Sequence, residues 1–139
     1  MRFILDTCVI SELIAKYPNP KVVGFVDSLE SDDIYLSVIT IGEIAKGVEK
    51  LPDSKRKQEL YSWLKEDLLA RFYGKIIPLD IDILLEWGTL IAHLETTGIT
   101  LPAIDSLISA TALTHKLTLV TRNIDDFNGT GVEITNPWA

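Results

Sequence analysis

The stretch from Pro102 to Leu113 carries a single charge, Asp105, among residues that are otherwise apolar or small. Proline suits a first helical position, where its missing N–H is unpaired in any case. A helix apolar on all sides packs against neighbours on several sides. Directly after it, Leu117 to Thr121 is a β-type run, so the two form one helix–strand unit. A chain with such a unit needs partners on both sides of a sheet. Asp105 falls in the first turn of the central helix, where the macrodipole and free N–H groups favour a negative charge. Taken alone, it is accounted for as a helix-start carboxylate.

The remainder of the chain repeats this alternation. Arg2 to Leu5 reads as a short buried strand ending at Asp6, and Val9, Ile10, Leu13 and Ile14 then take the spacing of a helical face. A turn at Tyr17–Pro20 precedes an amphipathic helix over 22–29. The second strand is expected over Ile34–Ile39, followed by a helix through Ile44 and Val48. Thr40 and Glu43 match a capping box, in which each side chain satisfies the other's backbone donor. A long amphipathic helix is expected over Lys55–Phe72. A third strand over Lys75–Leu79 belongs near a sheet edge because of Pro78. Asp80 caps the next helix, which ends near Gly98, and Val132–Ile134 supplies a last strand. Strands alternating with helices define an α/β fold with a mainly parallel sheet of four to five strands. The 139 residues are enough for one domain with one core, 1–139, with no linker or repeat.

Composition narrows the function. A hydrophobic fraction of 47% with 24% charged residues describes a globular chain. No apolar run approaches the ~18 residues of a membrane span, and Met1–Asp6 is too short in apolar length for a signal peptide. The one cysteine, Cys8, excludes an internal disulfide and fits a reducing cytoplasm. His93 and His115 stand alone, without metal-ligand spacing. A net charge of −7 argues against a general nucleic-acid coat. It leaves room for acids that hold a metal ion, since a divalent cation inverts the local charge.

Those acids have a common place. In parallel sheets the turns at the carboxyl edge of the strands build the site. Asp6 follows the first strand, Glu43 follows the second by one helical turn, and Asp126 follows the fourth. Asp105 opens the helix before the fourth strand. If the first, second and fourth strands are neighbours, four carboxylates converge. Packed carboxylates repel unless a cation sits between them. An all-oxygen donor set selects Mg²⁺, with Mn²⁺ as a substitute, over Zn²⁺. Such a set supports phosphoryl chemistry with a metal-activated water. No Gly-rich phosphate loop with lysine is present.

Four segments, in order, resemble the PIN-domain nucleases, and specifically the VapC-type toxins of type II toxin–antitoxin pairs in the VapC/FitB-like branch. These are Phe3–Thr7 with Ser11-Glu12, Thr40–Ile44 with Gly47, Ile104–Ile108 with Ala110, and Leu119–Asn123 with Asp126-Phe127. The resemblance implies a PIN-like, three-layer α/β/α fold and a Mg²⁺-dependent endoribonuclease that acts on RNA as a toxin. It makes Asp6, Glu43, Asp105 and Asp126 the catalytic and metal-binding acids, with Thr7, Thr40 and Asn123 in support. It implies a homodimer held in check by a cognate VapB-type antitoxin. Cys8 departs from the Asn or Ser of many relatives. Some relatives carry an acid at the position of Asn123, so the fourth acid here is Asp126 or, failing that, Asp125.

Two other readings compete. A haloacid-dehalogenase-like phosphatase also places an aspartate after its first strand, but it needs a second aspartate where this chain has Cys8. A non-catalytic PIN-fold binding module needs none of the four acids.

Overall fold

The computed structural model describes residues 1–139. Five parallel strands form one sheet in the order β3-β2-β1-β4-β5, with β1 at Phe3–Leu5, β2 at Ile34–Ser37, β3 at Ile76–Ile77, β4 at Thr118–Val120 and β5 at Ile134–Thr135. The strand order reverses between β1 and β4. Helix α1 (Thr7–Leu13), α2 (Pro20–Asp27), α3 (Val38–Glu49) and α4 (Lys55–Ser62) precede β3, and α5 (Leu69–Arg71) ends the α4 segment. Helices α6 (Ile81–Thr96) and α7 (Ala103–His115) lie between β3 and β4.

Strand alternation divides the core in two. Phe3 and Leu5 point to one side of β1, where they meet Val9, Val22, Val26, Ile44, Leu64 and Phe72. Ile4 points to the other, where it meets Ile83, Ile108, Leu119 and Phe127. The sheet is thus covered on both faces, which gives the three-layer α/β/α architecture expected of parallel strands. Pro78 directly follows the edge strand β3, as its missing N–H requires. No helix is long and apolar enough to cross a membrane.

Helix α7 is buried along most of its length, at Ser106 and from Ile108 through Ala112. Its small side chains let it approach the sheet closely. Two of the hydroxyls that this burial would strand bond their own helix: Ser109 Oγ donates to the Asp105 carbonyl at 2.8 Å and Thr111 Oγ1 to that of Leu107 at 2.8 Å, while Thr114 Oγ1 is buried without a partner. Ser106 Oγ donates to the Ala103 carbonyl and accepts from Trp87 Nε1 at 2.9 Å, which ties α7 to α6.

Three local expectations change. Strand β2 ends at Ser37, so α3 begins at Val38, and the Ser37 hydroxyl accepts from the Ile39 N–H at 3.0 Å. Thr40 and Glu43 therefore lie inside the helix and form no capping box. Pro102 sits one residue before α7, without a side-chain cap. The helix expected over 55–72 widens into a π turn at Trp63–Leu68. Leu64, Leu68 and Phe72 are all buried against the same cluster, and the wider turn keeps residues four apart closer to one line.

Candidate active site

The site lies at the carboxyl edge of the sheet, where β1 and β4 part. Asp6 is the residue after β1, only 6% exposed. Its backbone N–H still donates to the Val120 carbonyl at 2.9 Å, which fixes it against the end of β4. Its Oδ1 accepts from the Thr7 N–H at 2.8 Å and caps α1. Its Oδ2 accepts from the buried Thr121 hydroxyl at 2.8 Å and from the Cys8 thiol at 3.7 Å. Carboxylate oxygens buried this deep are costly unless donors of this kind meet them. Burial and the Asp6 carboxylate push the Cys8 thiol above its ordinary value, against the lowering effect of the Arg122 backbone and Thr121, so it stays a protonated donor.

Glu43 arrives from one turn inside α3. The Thr7 hydroxyl donates to Glu43 Oε1 and lies 3.2 Å from the Thr40 hydroxyl. Thr7 thus joins the end of β1 to α3, and Glu43 Oε2 is left unbonded. Asp105 enters from the first turn of α7 and is half-buried. Its carboxyl is raised from 3.8 to about 6, by burial first and then by the charges of Asp6, Asp126 and Glu43. Asp6, Asp126 and Glu43 therefore all lie close enough to Asp105 to act on its carboxyl. Asp126 reaches it from a 3₁₀ turn at Ile124–Phe127 that follows β4. Asp125, its neighbour on that turn, is not among the charges that raise Asp105, which favours Asp126 as the fourth acid. Asn123 takes part through its backbone, whose N–H donates to Thr121 Oγ1 at 3.1 Å; its side chain is solvent-exposed and forms no hydrogen bond within the chain.

The acids are not drawn into a closed cluster of three ligands. They present carboxylate oxygens alone as donors. This suits a hard cation that retains several waters and takes only one or two carboxylates directly. It does not suit zinc, which wants nitrogen or sulfur donors in a tight tetrahedron. The donor set thus fits Mg²⁺ or Mn²⁺.

Sequence pattern did not single out Thr121. The one clue was a hydroxyl directly after an apolar strand, and its partner Asp6 is 115 residues away.

Comparison with known proteins places this geometry. The PIN domain family model matches residues 3–132. Toxin FitB of Neisseria gonorrhoeae is 38% identical over 135 residues, covering 97% of each chain. VapC ribonuclease Y4jK of Sinorhizobium fredii is 33% identical, covering 97% of this chain and 96% of that one. The crystal structure of FitAcB from Neisseria gonorrhoeae superposes with a TM-score of 0.93 at 38% identity, over 98% of both chains.

Proposed function

The chain belongs to the PIN-domain family, and from that premise we propose that it is the toxin of a toxin–antitoxin pair, a metal-dependent endoribonuclease. The observation that carries this reading is the Asp105 carboxyl, raised to about 6 by burial and then by the charges of Asp6, Asp126 and Glu43, at the sheet edge where strand order reverses. A structural role for four such acids explains none of that mutual repulsion. Names of relatives agree with the activity: two are a VapC ribonuclease at 33% identity and Ribonuclease VapC2 of Rickettsia felis at 30%.

Asp6, Asp105, Glu43 and Asp126 are the residues that would hold the cation. When bound, it neutralises the scissile phosphate and acidifies the attacking water. The chain's own groups do the rest. Thr7 and Thr121 fix both Asp6 oxygens, so its remaining lone pairs point one way. Thr7, with the Thr40 hydroxyl beside it, orients Glu43 and leaves Oε2 free to take a proton from water. Asp126, on its exposed turn, closes the open side of the pocket and meets substrate from solvent. No covalent nucleophile is required; the Cys8 thiol is spent as a donor to Asp6.

The partners follow from two surfaces. An apolar groove between α1 and the π turn is lined by Ile10, Leu13, Trp63, Leu68 and Phe72, with Asp67 and Arg71 at its rim. We assign it to a small VapB-type antitoxin whose basic end neutralises the acid pocket; a relative at 36% identity was solved as FitAB bound to a DNA fragment. Ile81 and Leu85 of α6 are 76% and 67% exposed, with Leu84 beside them, and form the apolar face of a homodimer. The test is cleavage of total RNA by the purified chain, with Mg²⁺ or with EDTA, beside Asp6→Asn. Discrete fragments that need both metal and Asp6 are expected. Equal cleavage by Asp6→Asn would sink the assignment.

A further inference from the structure

An acidic pocket on a chain of net charge −7 repels the phosphates it is meant to cut. Some cation at its rim must offset that. Several basic side chains are engaged elsewhere. Arg2 and Arg56 donate to the carbonyls of His115 and Ile14, and Lys57 and Lys75 pair with Asp53 and Asp32. Arg122 differs in two respects. It is the one Lys or Arg in the two residues that follow any strand's carboxyl end, next to the Thr121 that holds Asp6. It also forms no ion pair, and its guanidinium lies 4.7 Å over the ring of Trp138.

Trp138 is itself held in place. Its Nε1 donates to Glu12 Oε1 at 3.2 Å and its N–H to Asn136 Oδ1 at 2.9 Å, and it packs against the core under α1. The other Glu12 oxygen accepts from the Asn19 N–H at 3.2 Å, so the chain's last residues are strapped to α1. The contact with the indole uses the cation and none of its N–H groups, which form no hydrogen bond within the chain. They remain a fork that matches two phosphate oxygens.

We propose that Arg122, preset on the Trp138 platform, grips a backbone phosphate of the RNA strand beside the acid pocket. This rests on the ribonuclease reading above. It makes the C-terminal Asn136–Trp138 segment part of substrate binding rather than a mere closure of the sheet. Arg122 binds and positions; it takes no proton.

The test is steady-state cleavage of a labelled single-stranded oligoribonucleotide in Mg²⁺, across a range of KCl, with thermal melting of each variant. Arg122→Ala is expected to raise KM about tenfold, the loss of one charge-assisted bond, with kcat little changed. The slope of log(kcat/KM) against log salt should fall by ~0.7, one phosphate contact on a single strand. Arg122→Lys should restore the slope but not the full KM, because an ammonium lacks the stacked fork. Trp138→Leu should raise KM in the presence of Arg122. If Arg122→Ala keeps the KM and salt slope of the native chain and only lowers the melting temperature, the pair merely pins the tail and the inference is overturned. A folded native chain inert on every RNA would remove the ribonuclease reading and this inference together.

Discussion

The Asp6 carboxylate serves two structures with its two oxygens. Oδ1 starts α1 and Oδ2 reaches the Thr121 hydroxyl beyond β4. Thr121→Val keeps the shape and deletes that donor, leaving a buried carboxylate oxygen with only a weak thiol partner. We expect a loss of about 1–3 kcal/mol in stability, read by urea denaturation, together with reduced cleavage. Asp105 gives the opposite sign. Its carboxyl titrates at about 6 in the fold against 3.8 as a free group. The folded state therefore prefers the protonated form, and ionisation costs stability as pH rises from about 4 through 6. Without divalent metal, Asp105→Asn should melt higher than the native chain at pH 7.5, and the gain should shrink to nothing below pH 4. The same substitution should abolish RNA cleavage and growth arrest. A variant that melts lower at pH 7.5 would mean that Asp105 is held by favourable contacts and not strained by its neighbours.

At the scale of elements, helix starts decide where side chains fall. Thr40 and Glu43 satisfy the pattern of a capping box, but Ser37 lies three residues earlier at the end of an apolar strand and takes the cap. Had Thr40 capped the helix, Glu43 would have turned back to the backbone. Because Ser37 does so instead, Glu43 is free to meet Thr7. Ser37→Ala should cost about 1 kcal/mol, the usual loss of a cap, and displace Glu43 enough to lower kcat. Helix α7 depends on smallness in the same way. Ala110 is fully buried against the sheet, and Ala110→Leu should cost roughly 1–3 kcal/mol by overpacking. Both are read by chemical denaturation. The pattern of elements was legible in advance because it is local: apolar periodicity, Pro78 at the edge and Asp80 at a helix start all hold within a few residues. The π turn was not legible, since it answers to where Leu64, Leu68 and Phe72 must meet the core.

At the scale of the molecule, the charges of Asp6, Asp126 and Glu43 act against Asp105, and under the proposed function a bound cation would relieve that repulsion. Mg²⁺ should raise the melting temperature of the native chain, and the rise should grow with the logarithm of its concentration above Kd, by the linkage between binding and folding. In Asp105→Asn the rise should be smaller, because less repulsion remains to be relieved. An equal rise in both would place the ion elsewhere. The exposed α6 face makes a second expectation: Leu85→Glu should convert a dimer to a monomer in light scattering while the melting curve keeps its shape, since Leu85 contributes nothing to either core.

By itself the sequence determined the alternation of strands and helices and put four acids at strand ends or helix starts, because periodicity and turn chemistry act over a few residues. The ordered set of motifs then pointed to the family that comparison established. Only the tertiary structure decided what each oxygen does. Thr121 meets Asp6 across 115 residues and Trp138 meets Glu12 across 126. Those meetings depend on β4 lying beside β1 and on the tail crossing α1. Strand order is set by how both faces of the sheet are buried at once, and no local pattern carries that.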